Sequence, residues 1–545
     1  LRPDGISLAS LNSYNAAAGM NLASKLHHGL SFVVDLVPGP TWALLLAAAL
    51  LGLLRLLRNG NSDPLAADFA AAAAHPADRA AADLRFRRLL AAIAAAAALA
   101  YLWFGWCVFP LSSWNEVRLA PAFALRHGLT VYAADGAGPL STWIYGPLPL
   151  LLNLPATFAA TAENAVLVAG AINLVILVAP LVVLSAAVPA GSARVGALAL
   201  AILLLPPRSL AFQVADHTAI ALGLLGCWLL ARHATTTRRD VVLAAICGIL
   251  AASAKQTAVI VLVGYGLMLF AQGQRRLVPL LLATSAGAGA LVGAAAVAVF
   301  GWTELWFNLV SLPARLPWAE AAEKLGPRWP QVLAYVAVPL ALLAAGWPAR
   351  RRPDASLPAG RFARGAALLF LVLLPPGLLS FFKIGGDTNV LHGSFYVLPA
   401  AALLLFAPAA GRSPRLAALA VAAMIALRWP ELADLPARPL TRLLTEAASL
   451  AQVAPGTAWF PNQPVTTFYS DGRLYHVEDG LATRHLAGSG IGPAAFRRHL
   501  PPRLATIVYP ASHDRPFALQ LLPEFKPAVR LPAWILYQPA PPDGR

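Results

Sequence analysis

LVPLLLATSAGAGALVGAAAVAVF, residues 277–300, contains no ionisable side chain. At about 1.5 Å of rise per residue, a helix of this length crosses the roughly 30 Å hydrocarbon core of a bilayer, and a helix bonds its own backbone N–H and C=O groups internally. The glycines between 285 and 295 read as small residues that let helices approach closely. They lie inside an apolar run, which is the wrong context for a phosphate loop or a dinucleotide fingerprint, so nucleotide-driven chemistry is not expected. Working outward, comparable apolar blocks stand at 41–57, 89–109, 164–188, 195–207, 217–232, 241–254, 257–271, 331–347, 366–382, 394–410 and 416–428. They predict an all-α polytopic membrane domain over 41–428 with about twelve transmembrane helices. The blocks between 195 and 254 are short, as broken or tilted helices would be.

Of the 545 residues, 58% are hydrophobic and 12% charged, a balance in which lipid replaces most of the polar surface of a soluble chain. The net charge of +16 is scattered beside the spans instead of forming one patch, so no nucleic-acid partner is expected. Arg55 and Arg58, Arg85, Arg87 and Arg88, Arg238 and Arg239, Arg275 and Arg276, Arg350 to Arg352 with Arg361 and Arg364, and Arg412 with Arg415 fall in alternate loops. Basic residues translocate poorly, which assigns those loops to the cytoplasm. Loops 110–163, 208–216, 301–330 and 383–393, and everything after Arg428, are then expected outside, in a multi-pass protein of the cell membrane. Cys107, Cys227 and Cys247 lie in or beside apolar segments without a partner at ligand spacing, so neither a disulfide framework nor a zinc site is expected. Residues 1–40 are polar and mixed and begin at Leu1, which predicts a poorly defined N-terminal segment and points to a truncated start. From 429 to 545 Pro, Arg, Asp and His mix with strand-like runs at Thr457–Phe460, Thr466–Tyr469 and Ala505–Tyr509. This stretch predicts a small extracytoplasmic, soluble α/β domain.

The first long outward loop carries WNEVRLAPAFALRHGLTVYAADGAGPLSTWIYGPLPLLLNLPA, residues 114–156. Glu116 follows the 89–109 span closely, so its carboxylate is expected at the membrane–water boundary with Arg118 beside it, where an ionisable group is either solvated or functional. His127-Gly128 followed by Tyr132 reads as a helix that stops at glycine and continues extended. Tyr145-Gly-Pro147-Leu-Pro149 reads as a rigid turn into a short apolar helix.

These elements resemble the GT-C superfamily of polytopic glycosyltransferases, which take sugars from polyprenyl-phosphate carriers outside the cytoplasm. The pattern consists of an acidic residue after a span, a helix ending at Gly with a downstream Tyr, and a Tyr-x-Pro-Leu stretch. Here these are Glu116, His127-Gly128, Tyr132 and Tyr145-Gly-Pro147-Leu148. It continues at Asp216-His217, at Lys255-Gln256-Thr257 where an apolar run is interrupted, and at Lys383-Ile-Gly-Gly-Asp387-Thr-Asn389, a turn similar to one in bacterial relatives. The resemblance covers roughly 85–430. It implies transfer of a sugar from a polyprenyl-phosphate donor to an envelope glycan, lipid or protein, with Glu116 as the catalytic base. Many members carry two neighbouring acids where this chain has Asn115-Glu116, which weakens the case for a divalent metal there, although Asp216 offers a second ligand. The sequence requires no cofactor.

The chemistry needs a carboxylate to take the acceptor's proton and cations to receive the departing phosphate. Glu116 suits the first role, and Lys255, Lys383, Arg118 and Arg315 the second. Asp216, His217, Tyr145 and Asp387 complete the expected substrate-binding set. Each has a plainer reading: a solvated Glu116–Arg118 pair, Asp216 as a helix cap, Lys255 snorkelling from a helix end, and Asp387 as a turn former. Trp103, Trp106, Trp114, Trp143 and Tyr145 read most simply as an aromatic belt. The rival functions are a transporter or lipid flippase, expected to carry charge in mid-span, and an inert membrane scaffold.

Overall fold

The computed structural model describes residues 76–540 apart from 135–138, 140, 142, 320–331, 334, 338, 340–357, 408–413, 454, 490 and 514–515. The predicted segment 1–40, the span predicted at 41–57 and most of that at 331–347 lie outside the described residues. The helices of the larger part are α1 Pro76–Val108, α2 Ser113–Arg126, α3 Leu148–Asn153, α4 Ala162–Ser185, α5 Ser192–Leu203, α6 Pro207–Ala211, α7 Ala215–Ala231 and α8 Arg238–Ala254. They continue with α9 Val261–Ala271, α10 Val278–Phe300, α11 Trp302–Trp306, α12 Leu312–Arg315, α13 Pro358–Phe381, α14 Ser394–Phe406 and α15 Pro414–Leu427.

The expectation of about twelve full spans is corrected. Among the described residues 4 helical stretches are long and apolar enough to cross a membrane: Asp83–Leu111, Ala162–Ser185, Arg275–Phe300 and Pro358–Phe381. The other predicted blocks that fall within the described residues are helical but short. Ser192–Leu203 has 12 residues and Ser394–Phe406 has 13, about 18–20 Å of helix against a core of roughly 30 Å. The physical reason is local punctuation. Helix α8 starts at a capping box, Thr237 with Asp240, and stops where Lys255 turns extended (φ −143°, ψ 120°).

The main core gathers α1, α4, α5, α7, α9, α13 and α14 around Tyr101, Leu200, Leu230, Tyr265, Phe362, Leu369 and Tyr396, all buried. Its aromatic hydroxyls are bonded internally, Tyr101 to the Leu205 carbonyl and Tyr265 to that of Gly223, as burial of a phenol demands.

The C-terminal part contains α16 Trp429–Ala433, α17 Arg442–Val453, α18 Pro464–Asp471, α19 Glu478–Leu486, α20 Pro493–Arg498 and α21 Ala518–Leu521. It also holds a sheet in the order β1-β2-β4-β3, formed by Ala458–Trp459, Thr506–Pro510, Trp534–Pro539 and Phe525–Arg530. β1 runs parallel to β2, and the other pairs are antiparallel. The predicted strand at Thr466–Tyr469 is instead part of helix α18. Pro464 opens that helix and Gly472, at φ 66°, stops it; these signals override the β-leaning Thr-Thr pair. Phe109, Leu119, Phe123 and Val166 form a second core together with Leu444 and Val465 of the C-terminal part. The two parts therefore share buried apolar surface.

Candidate functional site

Asp216 stands in the first turn of α7, but that helix is capped at Val214 and the carboxylate is not used as a cap. It is fully buried. Its Oδ1 accepts from Lys255 Nζ at 2.5 Å and from His392 Nε2 at 2.5 Å, and its Oδ2 accepts from Asn389 Nδ2 at 3.0 Å. Lys255 reaches it because α8 ends one residue earlier, turning the side chain out of the helical course. The loop 383–393 delivers Asn389 and His392 by a turn that Asp387 organises: its Oδ1 accepts from the Thr388 N–H at 2.6 Å and its Oδ2 from Arg208 at 3.1 Å. A charged pair taken out of water survives only when the remaining hydrogen-bonding capacity is also used, and here His392 and Asn389 complete the Asp216 carboxylate while Lys255 lies over the Tyr145 ring.

Tyr145 lies beside this cluster. Its ring centroid is 5.3 Å from Lys255 Nζ and 5.0 Å from the Arg118 guanidinium carbon, so one aromatic ring serves two cations. The turn that carries it is pressed against the end of α8. The Gly146 N–H donates to the Ala254 carbonyl at 3.2 Å, and a Cβ on Gly146 would come within 1.9 Å of the Ser253 oxygen. Gln256 ties the same turn down by donating to the Ile144 and Leu309 carbonyls at 3.1 and 3.0 Å. Arg118 is buried, stacks on Trp114 at 4.1 Å and meets Asp479 of α19 at 3.8 Å.

Asn115 joins α2 to the approach of α7, donating to the Ala211 carbonyl and accepting from the Gln213 N–H. Glu116, next to it, is fully buried and faces the other way, toward the C-terminal part. Its Oε2 accepts from the Thr466 N–H at 2.8 Å and its Oε1 from the Thr466 hydroxyl at 3.3 Å. The carboxylate thus serves as the N-terminal cap of α18 from a distant segment. Burial pushes its pKa up to about 8, against the lowering effect of those bonds.

His217 pairs through Nδ1 with Asn173 Oδ1 at 2.9 Å and lines a small apolar pocket with Leu177, Ile220, Leu224 and Phe395. A second small pocket, more polar, lies between Arg118, Trp143, Asn153, Asn173, Gln213 and Thr218. Ile176 lines both.

Of the expected residues, Asp216, Lys255, Tyr145 and Arg118 come together, with His217 and Asp387 supporting the edges. Lys383 is spent elsewhere, donating to the Pro313 carbonyl at 2.8 Å. Arg315 reaches Ser489 at 3.3 Å. Sequence reasoning passed over His392, Asp479 and Arg484, and quoted Asn389 only as part of a turn. His392 follows the Gly-Gly-Asp-Thr-Asn turn by a few residues, and a histidine within an apolar stretch was the available signal. Arg484 is buried and donates to the Ala133 carbonyl and to Asn308 Oδ1; nothing local in the sequence marks it. Among the described residues no three His, Cys, Asp or Glu side chains gather as metal ligands. The oxygens of Asp216 and Glu116 are committed to protein donors, so the residues present do not fit a divalent cation. No protein-family model matches the chain, and no curated protein matches it.

Proposed function

We propose that the chain is a membrane-embedded glycosyltransferase that moves a sugar from a polyprenyl-phosphate donor to an acceptor outside the cytoplasm. The observation that carries this reading is the convergence on Tyr145 of two cations from separate segments, Arg118 and Lys255, with Lys255 held by Asp216. Two fixed positive charges beside an aromatic ring suit a phosphate leaving group, whose charge grows as its bond to the sugar breaks. In this reading the acceptor hydroxyl oxygen attacks the anomeric carbon and the bond from that carbon to the phosphate oxygen breaks. The carrier phosphate leaves against Arg118 and Lys255. The hydroxyl proton passes to the Glu116 carboxylate once α18 releases it.

Membrane placement is supported by the four long apolar helices and by their exposure: 11% of the most apolar stretch of Arg275–Phe300 is buried against the chain. The charged groups of the cluster stand at helix ends, Asp216 at the start of α7 and Lys255 just beyond α8. A transporter would carry such charges in mid-span. The test is transfer from polyprenyl-phosphate sugars by the purified chain in nanodiscs, compared with Lys255→Met and Arg118→Met. Turnover that withstands both substitutions overturns the assignment of the phosphate site. The absence of turnover with any such donor overturns the reaction class.

A further inference from the structure

Helix α10 reports on what surrounds the chain. Its 23 residues measure about 35 Å at 1.5 Å per residue, close to the thickness of a bilayer core. Leu282, Leu291 and Val299 along it are exposed, Leu291 by 73%. One end carries Arg275 and Arg276. The other stops at Gly301 and turns directly into α11, where the Trp302 and Trp306 rings stack at 5.4 Å and are 61% and 50% exposed.

Trp103, Trp318 and Trp429 are also exposed. Phe300, the last residue of α10, packs on Tyr132 at 5.0 Å, and the Tyr132 hydroxyl donates to the Tyr145 carbonyl. At the end of α1 the Cys107 carbonyl accepts from the Leu440 N–H, and Trp103 donates its indole N–H to the Pro436 carbonyl at 2.8 Å, a few residues beyond Trp429. Trp318 pairs in an isolated bridge with Lys383, the first residue of the loop that delivers His392. An exposed indole is most stable where its ring meets hydrocarbon and its N–H meets water or headgroups.

We propose that Trp302 and Trp306, continued by Trp103, Trp318 and Trp429, rest in the glycerol and carbonyl layer of the bilayer on the side of the candidate site. The proposal rests on the membrane reading given above. It revises the belt expected from sequence: Trp103 stays in it, whereas Trp143 is buried and Tyr145 is engaged by Arg118 and Lys255. It also gives the site a depth. Gln256, the neighbour of Lys255, donates to the Leu309 carbonyl just after α11, so the Asp216–Lys255 cluster is tied to the same layer. A ligand therefore meets Lys255 at the level of the lipid headgroups, and a phosphate at the head of a lipid arrives there without leaving its own plane.

The test uses the full chain in phosphatidylcholine nanodiscs whose acyl chains are brominated either near the carbonyl or near the methyl end. The fluorescence lost in Trp302→Phe/Trp306→Phe, obtained by difference from the parent, is expected to be quenched at least about twofold more by the near-carbonyl bromine. Trp429→Phe, on a separate element, gives an independent measurement. A nitroxide at Leu291→Cys is read alongside and is expected to collide with oxygen and not with a water-soluble nickel chelate. A label at 291 open to the chelate overturns the membrane reading itself. A lipid-buried label together with tryptophans quenched best by the deep bromine, or only by an aqueous quencher, overturns the belt and leaves the membrane reading standing.

Discussion

A single carboxylate, that of Asp216, holds an ammonium, an imidazole and an amide in a place with no access to water. Removing one partner of such a buried group costs more than the pair gains, because the other partner stays buried and uncompensated. Asp216→Asn should therefore destabilise the chain by about 3–5 kcal/mol, measured by thermal or denaturant unfolding in detergent. Adding Lys255→Met should recover part of that loss, because the two residues share one interaction. Glu116 behaves differently. Its pKa lies above the ordinary carboxylate value, near 4.5, at about 8 when α18 is docked on it. The docked state then binds the proton more tightly than the undocked state, so docking is strongest below the ordinary value and weakens as pH rises toward 8. Protection of the Pro464–Asp471 amides, measured against the base-catalysed intrinsic exchange rate, should fall over that interval in the parent and stay level in Glu116→Gln, which keeps an oxygen for the Thr466 N–H. An equally steep profile in the variant would rule out Glu116 as the titrating group.

At the scale of elements, close backbone approaches hold the site together. Gly146 leaves no room for a methyl against the Ser253 oxygen, and Gly146→Ala should cost about 1–3 kcal/mol while moving Tyr145 away from Lys255. Unfolding midpoints and the near-ultraviolet circular dichroism of the aromatic residues would register both changes. Hydropathy placed most helices within a few residues; the predicted 164–188 is α4, Ala162–Ser185. It could not measure how many cross a bilayer, because length is cut by events that average hydropathy does not weigh, such as the capping box before α8 and the turn at Lys255. Thr466–Tyr469 failed as a strand for a related reason, since its helix is stabilised by a carboxylate from another segment. The site was legible where a polar residue broke an apolar run, as Asp216 and Lys255 do. It was illegible where a partner came from far along the chain, as His392, Asp479 and Arg484 do.

At the scale of the molecule, the C-terminal part is packed over the residues that flank the site. Glu116 bonds Thr466, Arg118 meets Asp479, Arg484 reaches Ala133 and Asn308, and Phe123 lies against Phe468 at 5.2 Å. A chain ended after Arg428 should expose Phe109, Leu119 and Phe123 together with a buried carboxylate, and should aggregate in detergent. A monodisperse size-exclusion peak from that truncation would show that the membrane part stands alone. The edges of the sheet are guarded against a different kind of association: β3 carries Lys526, Pro527 and Arg530, with an irregular register between Pro527 and Val529, features that discourage strand addition.

The Glu116–Thr466 contact joins residues 350 positions apart, and that separation is also an interval of time. A ribosome adding about 5–20 residues each second takes roughly 20–70 s to make the stretch between them. Throughout that interval Glu116 has no Thr466 to accept from and the apolar face of α2 lacks the cover of Leu444 and Val465. Closure of this early pocket is thus a late event of biosynthesis, and a nascent chain that stalls before Thr466 would be recognisable to quality control by an open, charged Glu116.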